Sequence, residues 1–245
     1  MSEQKQTPHC EQCQNELTGK FCSNCGSAQV LKRIDGTFIL SEILSILNFD
    51  KGILYTIREL LTRPGQNIRD FIHRERRRLV KPIFFMIICS VVYTATQQFV
   101  HFGDEYITVT GFDESATASI FNWIQNNYGY GNILMAIFIA FWIKVFFKKY
   151  DYNFFEILTL LCFVIGMGML IYTIFGVAES LSKVKVLYLG GLVGFVYISW
   201  AIGQFFDERN KINFLKGFLS YLLGMLSFTL VAIITGIAID LVKKI

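Results

Sequence analysis

Charged residues are scarce in this chain of 245 residues. Asp, Glu, Lys and Arg together make up 17% of it, whereas a soluble domain carries about 25%. Histidine is rarer still: the three histidines, His9, His73 and His101, lie far apart in sequence. Neither a histidine metal cluster nor a Ser–His or paired-acid arrangement is visible. A membrane-embedded enzyme is therefore the least supported function class, and we expect no catalytic activity.

The first ten residues lack the apolar stretch of a signal peptide, so we expect the N-terminus to stay inside and a spanning helix to direct insertion. Hydrophobic residues nevertheless reach 53% of the chain and aromatic residues 16%. They concentrate after Pro82. This shift predicts three parts: residues 1–30, an amphipathic and basic cytoplasmic segment at 31–81, and a membrane bundle at 82–245.

Five apolar runs approach or exceed the about 20 residues that cross a bilayer as a helix. They cover residues 82–99, 133–147, 154–178, 184–206 and 214–239. The second is short and contains Lys144, whose ammonium we expect to reach the interface. The predicted fold class is an all-α membrane protein with about five transmembrane helices, although four spans remain an alternative.

Charge predicts the orientation of these helices. Residues 101–132 contain four acidic residues and no Lys or Arg, whereas Lys148, Lys149 and Arg209 lie in two other connections. By the positive-inside rule the N-terminus faces the cytoplasm and the C-terminus faces outward. Lys183, Lys185, Lys243 and Lys244 argue against this orientation, so the side of the C-terminus stays open.

Two C-x2-C pairs, eight residues apart, form the strongest local motif. Cys10, Cys13, Cys22 and Cys25 can supply the four thiolates of a tetrahedral Zn²⁺ site, and such a short segment needs the metal to fold. The predicted module is a structural zinc ribbon. Two disulfides are disfavoured in a reducing cytosol, and thioredoxin-like chemistry would need a βαβ context. Neighbouring His9 is interpreted as solvated, because four cysteines fill the shell.

An amphipathic helical hairpin is predicted after the ribbon. Apolar residues at spacings of three and four predict one helix across 39–47 and a second across 53–61. Asp50 is placed to cap the second helix, and Arg63-Pro64-Gly65 should end it. The hairpin either packs against the bundle or lies in the interface.

A basic cluster follows the hairpin and abuts the first span. We expect it to contact anionic lipid head groups through Arg74, Arg76, Arg77, Arg78 and Lys81. The alternative is a purely topogenic signal. Nucleic-acid binding is disfavoured, because a cluster against a membrane span is poorly placed to follow a duplex.

Ionisable residues are essentially missing from the middle of the spans, since Glu156, Asp207 and Asp240 fall near predicted ends. This argues against a proton-coupled transporter. Gly190-x3-Gly194 and Ser220-x3-Gly224 instead predict close helix packing or a homo-oligomer. We interpret Cys89 and Cys162 as small buried apolar groups, and the aromatic stretch 120–130 as a short interfacial anchor helix rather than a binding pocket.

These motifs together resemble a known family. The N-terminal C-x2-C pair, Leu17-Thr18-Gly19-Lys20-Phe21-Cys22-Ser23-Asn24-Cys25-Gly26, Arg63-Pro64-Gly65 and Lys81-Pro82 are similar to bacterial membrane proteins grouped as domain of unknown function 3667. Ser27 and Arg74-Glu75-Arg76 depart from the pattern. The resemblance implies a zinc ribbon and a helical bundle in a bacterial inner membrane, but no activity, substrate or catalytic residue.

Two functions remain. The first hypothesis is a non-enzymatic scaffold or adaptor, in which the ribbon and basic hairpin recruit a cytosolic protein. The alternative is a transporter or lipid-handling protein, because spans rich in glycine and aromatic residues can line a path for an apolar substrate.

Overall fold

The computed structural model describes residues 14–15, 23–24, 52–76, 78–100, 102 and 115–243. The chain divides into two compact units, Met1–Leu47 and Asn48–Ile245, and every element described below belongs to the second. The predicted helix across 39–47 and all four cysteines of the predicted zinc ribbon lie outside the described residues.

Eight α-helices and no strand make up the described part of the second unit. They are α1 Ile53–Thr62, α2 Pro64–His73, α3 Pro82–Val100, α4 Ala116–Asn126, α5 Tyr128–Phe146, α6 Phe154–Ser182, α7 Leu187–Asp207 and α8 Lys211–Lys243.

Five of these helices, α3 and α5 to α8, are long and apolar enough to cross a membrane, which confirms the predicted number of spans. Their ends differ from the expected ones. Helix α5 begins at Tyr128 instead of residue 133, and α8 extends from Lys211 to Lys243 rather than over 214–239. A helix needs apolar residues only inside the hydrocarbon, so α6 and α8 continue through polar residues beyond the about 20 that cross it.

Helix α6 is central to the bundle, because it packs against α3, α5 and α7. Helix α8 packs against both α5 and α7, so α5 to α8 form a four-membered ring with α3 outside α6. Buried residues occupy 56% of the α6 span and 61% of the α7 span, but only 17% of the α8 span. Most residues of the α8 span are therefore exposed on the outer surface of the bundle.

Glycines allow close approach of two helix pairs in this ring, α6 with α7 and α5 with α8. A Cβ on Gly190 would lie 2.5 Å from Phe175 Cβ, and a Cβ on Gly224 would lie 2.6 Å from Ile139 Cα. Both distances are far below a van der Waals contact. The close packing predicted from these two glycines is confirmed, since van der Waals packing of small residues is what joins helices in lipid.

The predicted second helix of the hairpin is present as α1, which ends at Thr62 before Arg63 and Pro64. Gly52 occupies its N-cap position without a side-chain hydrogen bond, and Asp50 lies outside the described residues. Pro64 also begins α2, a helix that was not predicted from the sequence. Proline suits the first helical position because its missing N–H would have no partner there.

Candidate functional site

The two ends of the bundle differ in what covers them. Helix α2 packs on the carboxyl end of α7, where the Gly65 N–H donates a hydrogen bond to Gln204 Oε1. Helix α4 packs on the carboxyl end of α8, where the Ala116 N–H donates a hydrogen bond to the Asp240 carboxylate. Because successive spans run in opposite directions, these contacts lie at opposite ends, which we call the α2 end and the α4 end.

A cavity of about 370 Å³ lies among residues of α5 to α8, two residues of α4 and one residue of α3. Its size falls inside the roughly 300–1,000 Å³ of small-molecule sites. Glycines form much of one wall, namely Gly168, Gly190, Gly191 and Gly194. These residues leave open the volume that side chains on α6 and α7 would otherwise fill.

Apart from Asn132, the remaining lining is aromatic and apolar, with no Asp, Glu, Lys, Arg or His. It includes Met135, Met169 and Met225, whose flexible thioethers adapt to ligands of different shape. Gly191 is exposed as well as part of the lining, so the cavity is reached from the surface of the bundle at this point. Such a site suits a neutral, largely apolar molecule.

Helix α4 contributes Phe121 and Ile124 to the cavity lining. Its first turn is held by two side chains: Ser115 Oγ accepts from the Ala118 N–H at 3.1 Å, and Asp240 Oδ1 accepts from the Ala116 N–H at 2.8 Å. A carboxylate is favourable there because the helix N-terminus carries partial positive charge. A short helix is therefore present over much of the aromatic stretch 120–130, but it also lines a cavity, contrary to our interpretation of this stretch as an anchor rather than a binding pocket.

Asn132, on the second turn of α5, is the most unusual residue of this lining. Its side chain is 7% exposed, and Nδ2 is the only buried side-chain nitrogen or oxygen that lacks a hydrogen-bond partner within the described part of the chain. Leaving such a group unpaired costs about 1–3 kcal/mol. No sequence pattern indicates this, because residue 132 falls just outside the predicted second span.

At the α2 end, the hairpin of α1 and α2 is fastened to α7 by four hydrogen bonds. The Gly65 N–H donates to Gln204 Oε1 at 2.8 Å, and Arg69 Nη1 donates to the carbonyl oxygens of Gln204 and Phe205 at 2.6 and 2.8 Å. The Tyr197 hydroxyl donates to the Leu60 carbonyl at 2.9 Å. Arg69 thus satisfies two carbonyls in the last turn of α7, where a cation also opposes the helix dipole.

Residues 50–94 match the model of a family described as "Protein of unknown function (DUF3667)". Over this segment the chain is similar to that family. The DUF3667 segment spans α1, α2 and much of α3, which makes it the part that docks on α7 at the α2 end. It begins after the cysteine pairs, so the match does not include them. No curated protein and no solved structure matches the chain.

Within the DUF3667 segment, two of the predicted lipid-contacting residues pair with acids. Arg78 Nη2 lies 2.6 Å from Glu59 Oε2, and Arg78 Nε donates to the Tyr55 hydroxyl at 3.0 Å, a hydrogen bond that raises the pKa of Arg78. Arg74 forms an exposed ion pair with Asp70 at 3.3 Å. Arg76 and Lys81 are exposed, and Arg77 lies outside the described residues.

The acidic residues near span ends have protein partners. Glu156 completes a capping box with Asn153 at the start of α6, and Asp240 accepts from α4 as described above. Lys144 Nζ donates to the Tyr152 carbonyl in the loop after α5, so its side chain extends toward the α2 end. Within the described residues no group of three His, Cys, Asp or Glu side chains could hold a metal ion.

Proposed function

We propose that this membrane protein takes up an apolar or lipid molecule in the cavity between α5, α6, α7 and α8. The observation that carries the proposal is the glycine-lined cavity of about 370 Å³. An uncharged lining favours such a ligand, because a charged group placed there would lack a counter-charge. Access beside exposed Gly191 suits a molecule that enters from the surrounding lipid.

The cavity can be filled from Gly194 without disturbing the helices. Among the described atoms outside its own helix, only the Gly168 carbonyl oxygen lies within 4 Å of a Cβ built on Gly194, at 3.7 Å. We therefore expect a Gly194→Leu side chain to enter the cavity and to displace a ligand. A dodecane carrying a diazirine, added to liposomes that contain the protein, should label buried Met169 in the original chain and at least about fivefold less in the variant.

The matched control is Val196→Phe, which enlarges a side chain on the exposed face of the same helix. It should leave the labelling of Met169 unchanged. Labelling of exposed Leu230 on α8 reports the probe concentration in the bilayer and should be equal in all three proteins. Equal labelling of Met169 with and without the Gly194→Leu substitution would contradict the proposed uptake.

The second candidate function is the adaptor suggested by the paired cysteines. In this proposal Cys10, Cys13, Cys22 and Cys25 bind Zn²⁺ as a structural ribbon that presents a surface to a cytosolic protein. Support for a cytoplasmic α2 end comes from the described basic residues, most of which lie there, including Arg76, Lys81, Lys148, Lys149, Arg209 and Lys211. Exposed Arg76 and Lys81 also suit anionic lipid head groups of a bacterial inner membrane.

Zinc content tests the adaptor proposal. We expect about one zinc ion per purified chain and none in a Cys10→Ser, Cys13→Ser variant, because two thiolates cannot complete a tetrahedral site. A cytosolic partner that co-purifies from native membranes should be lost with the zinc. Retention of that partner without zinc would refute recruitment by the ribbon, and cleavage of residues 1–30 by protease added outside intact cells would refute the orientation.

A further inference from the structure

The contact between α7 and α8 is tight in the half of the bundle at the α2 end. A Cβ on Gly203 would lie 2.8 Å from Phe214 Cα, and a Cβ on Gly217 would lie 2.8 Å from the Ser199 carbonyl oxygen. Residues 197–206 of α7 are all buried or half-buried. Helices that approach this closely leave no room for a lipid chain to pass between them.

This tight contact ends in the middle of the bundle at a pair of aromatic rings. Phe195 on α7 packs edge-on against Tyr221 on α8, with the ring centroids 5.0 Å apart. Because the two helices run antiparallel, one further turn toward the α4 end places Gly191 opposite Met225. Both residues line the cavity, and both are exposed. We call the opening between Gly191 and Met225 the portal.

Toward the α4 end, α7 and α8 are held by different neighbours. Helix α7 packs on α6 at Gly190, whereas α8 packs on α5 at Gly224 and on α4 at Gly236. Exposed Leu192 and Leu226 lie beside the portal on α7 and α8. The portal is therefore continuous with the lipid-facing surface of both helices.

The portal lies in one half of the bilayer. Gly191 is four residues from the start of α7 at Leu187 and sixteen residues from its end at Asp207, which correspond to about 6 Å and about 24 Å along the helix. The nearer end is the α4 end. The portal thus faces the leaflet at the α4 end, and the tight contact between α7 and α8 separates it from the opposite leaflet.

We infer that a lipid of the leaflet at the α4 end inserts a hydrocarbon chain into the cavity through the portal, and that lipids of the opposite leaflet lack this access. The head group stays at the interface, since the described lining has no charged side chain to balance a charged group. This inference rests on the proposed uptake into the same cavity, and it adds the source of the ligand and its route.

A lipid probe that stays in one leaflet tests the source. The probe is phosphatidylcholine with a diazirine in the middle of one chain, added to the outer leaflet of liposomes that contain the full chain with an affinity tag after Ile245. Because α8 ends at the α4 end, a resin that binds the tag separates liposomes with this end outside from those with it inside. Buried Met169 should be labelled at least about tenfold more in the first population, since a charged head group crosses the bilayer slowly.

Two exposed leucines on α8 report which leaflet holds the probe. Leu230 lies on the α4-end side of Met225, and Leu215 lies on its α2-end side. In liposomes with the α4 end outside, the labelling of Met169 is measured while Leu230 is labelled and Leu215 is not. The comparison then reflects the leaflet of origin and not the total amount of probe.

Substitutions at the portal test the route. Gly191→Trp, and Met225→Trp on the facing helix, should each lower the initial rate of Met169 labelling at least about fivefold, because a large side chain packed in the opening excludes a lipid chain. The matched control is Leu192→Trp, which enlarges an exposed side chain beside the portal that does not line the cavity. This variant should be labelled at the original rate.

The outcomes separate this inference from the proposed function. Equal labelling of Met169 in the two liposome populations would overturn the assigned leaflet, and an unchanged rate in both portal variants would overturn the route. If the dodecane probe labels Met169 but the phospholipid probe does not, the inference fails and uptake by the cavity stands. If neither probe labels Met169, both proposals fail.

Discussion

Replacing Gly65 by alanine should lower the midpoint of thermal unfolding of the purified protein by about 5–10 °C, as expected for a loss of about 3 kcal/mol. A Cβ at this position would lie 2.4 Å from both the Gln204 carbonyl carbon and the Phe205 backbone nitrogen. These atoms belong to the helical backbone of α7 and cannot move aside individually. The new methyl group must therefore push α2 away and break the hydrogen bonds made by Gly65 and Arg69.

Gly191→Ala is the matched control for this measurement. Gly191 lies on α7, and a Cβ there would contact Tyr172 Cε2 at the ordinary distance of 3.8 Å and no other described atom outside its own helix. Alanine is favoured over glycine inside a helix by about 0.5–1 kcal/mol, so the midpoint should stay the same or rise. Equal midpoints for the Gly65→Ala variant and the original chain would show that α2 does not dock on α7 as described.

Replacing Gly224 by valine should destabilise the protein at least as much, because it disturbs the contact between α5 and α8. A Cβ on Gly224 would lie 2.5 Å from Ile139 Cγ1, 2.6 Å from its Cα and 2.9 Å from its backbone nitrogen. Because two of these atoms are backbone, the helices must separate, which costs packing that the lipid does not replace. We expect most of the expressed variant to be aggregated on size-exclusion chromatography in detergent.

Gly194→Ala provides the comparison, since the Gly168 carbonyl oxygen, at 3.7 Å, is the sole described atom of another helix within 4 Å of its new methyl group. It should elute as the original chain does. The two substitutions thus distinguish a glycine required for helix contact from a glycine that borders the cavity. A Gly224→Val variant that is as monodisperse as the Gly194→Ala variant would contradict the packing of α5 on α8.

Hydropathy predicted the number of spans correctly because a spanning helix satisfies its own backbone hydrogen bonds and needs only length and apolar side chains. The periodic apolar residues likewise predicted α1. Helix α2 was missed, since Pro64-Gly65 reads as an interruption of α1 and the following residues are mostly polar. Only the packing of α7 against Gly65 shows that this dipeptide begins a second helix that docks on α7.

The sequence by itself determined the all-helical membrane fold, the family resemblance now confirmed over residues 50–94, and the glycines that permit close packing. Those properties follow from local composition and spacing. The tertiary structure alone decided that Arg69 donates to the carbonyl oxygens of Gln204 and Phe205, which lie 135 and 136 positions further along the chain, and that Asn132 belongs to the lining of the cavity. Such features depend on which faces of the helices pack against each other. All five spans are similarly apolar, so hydropathy does not determine which faces those are.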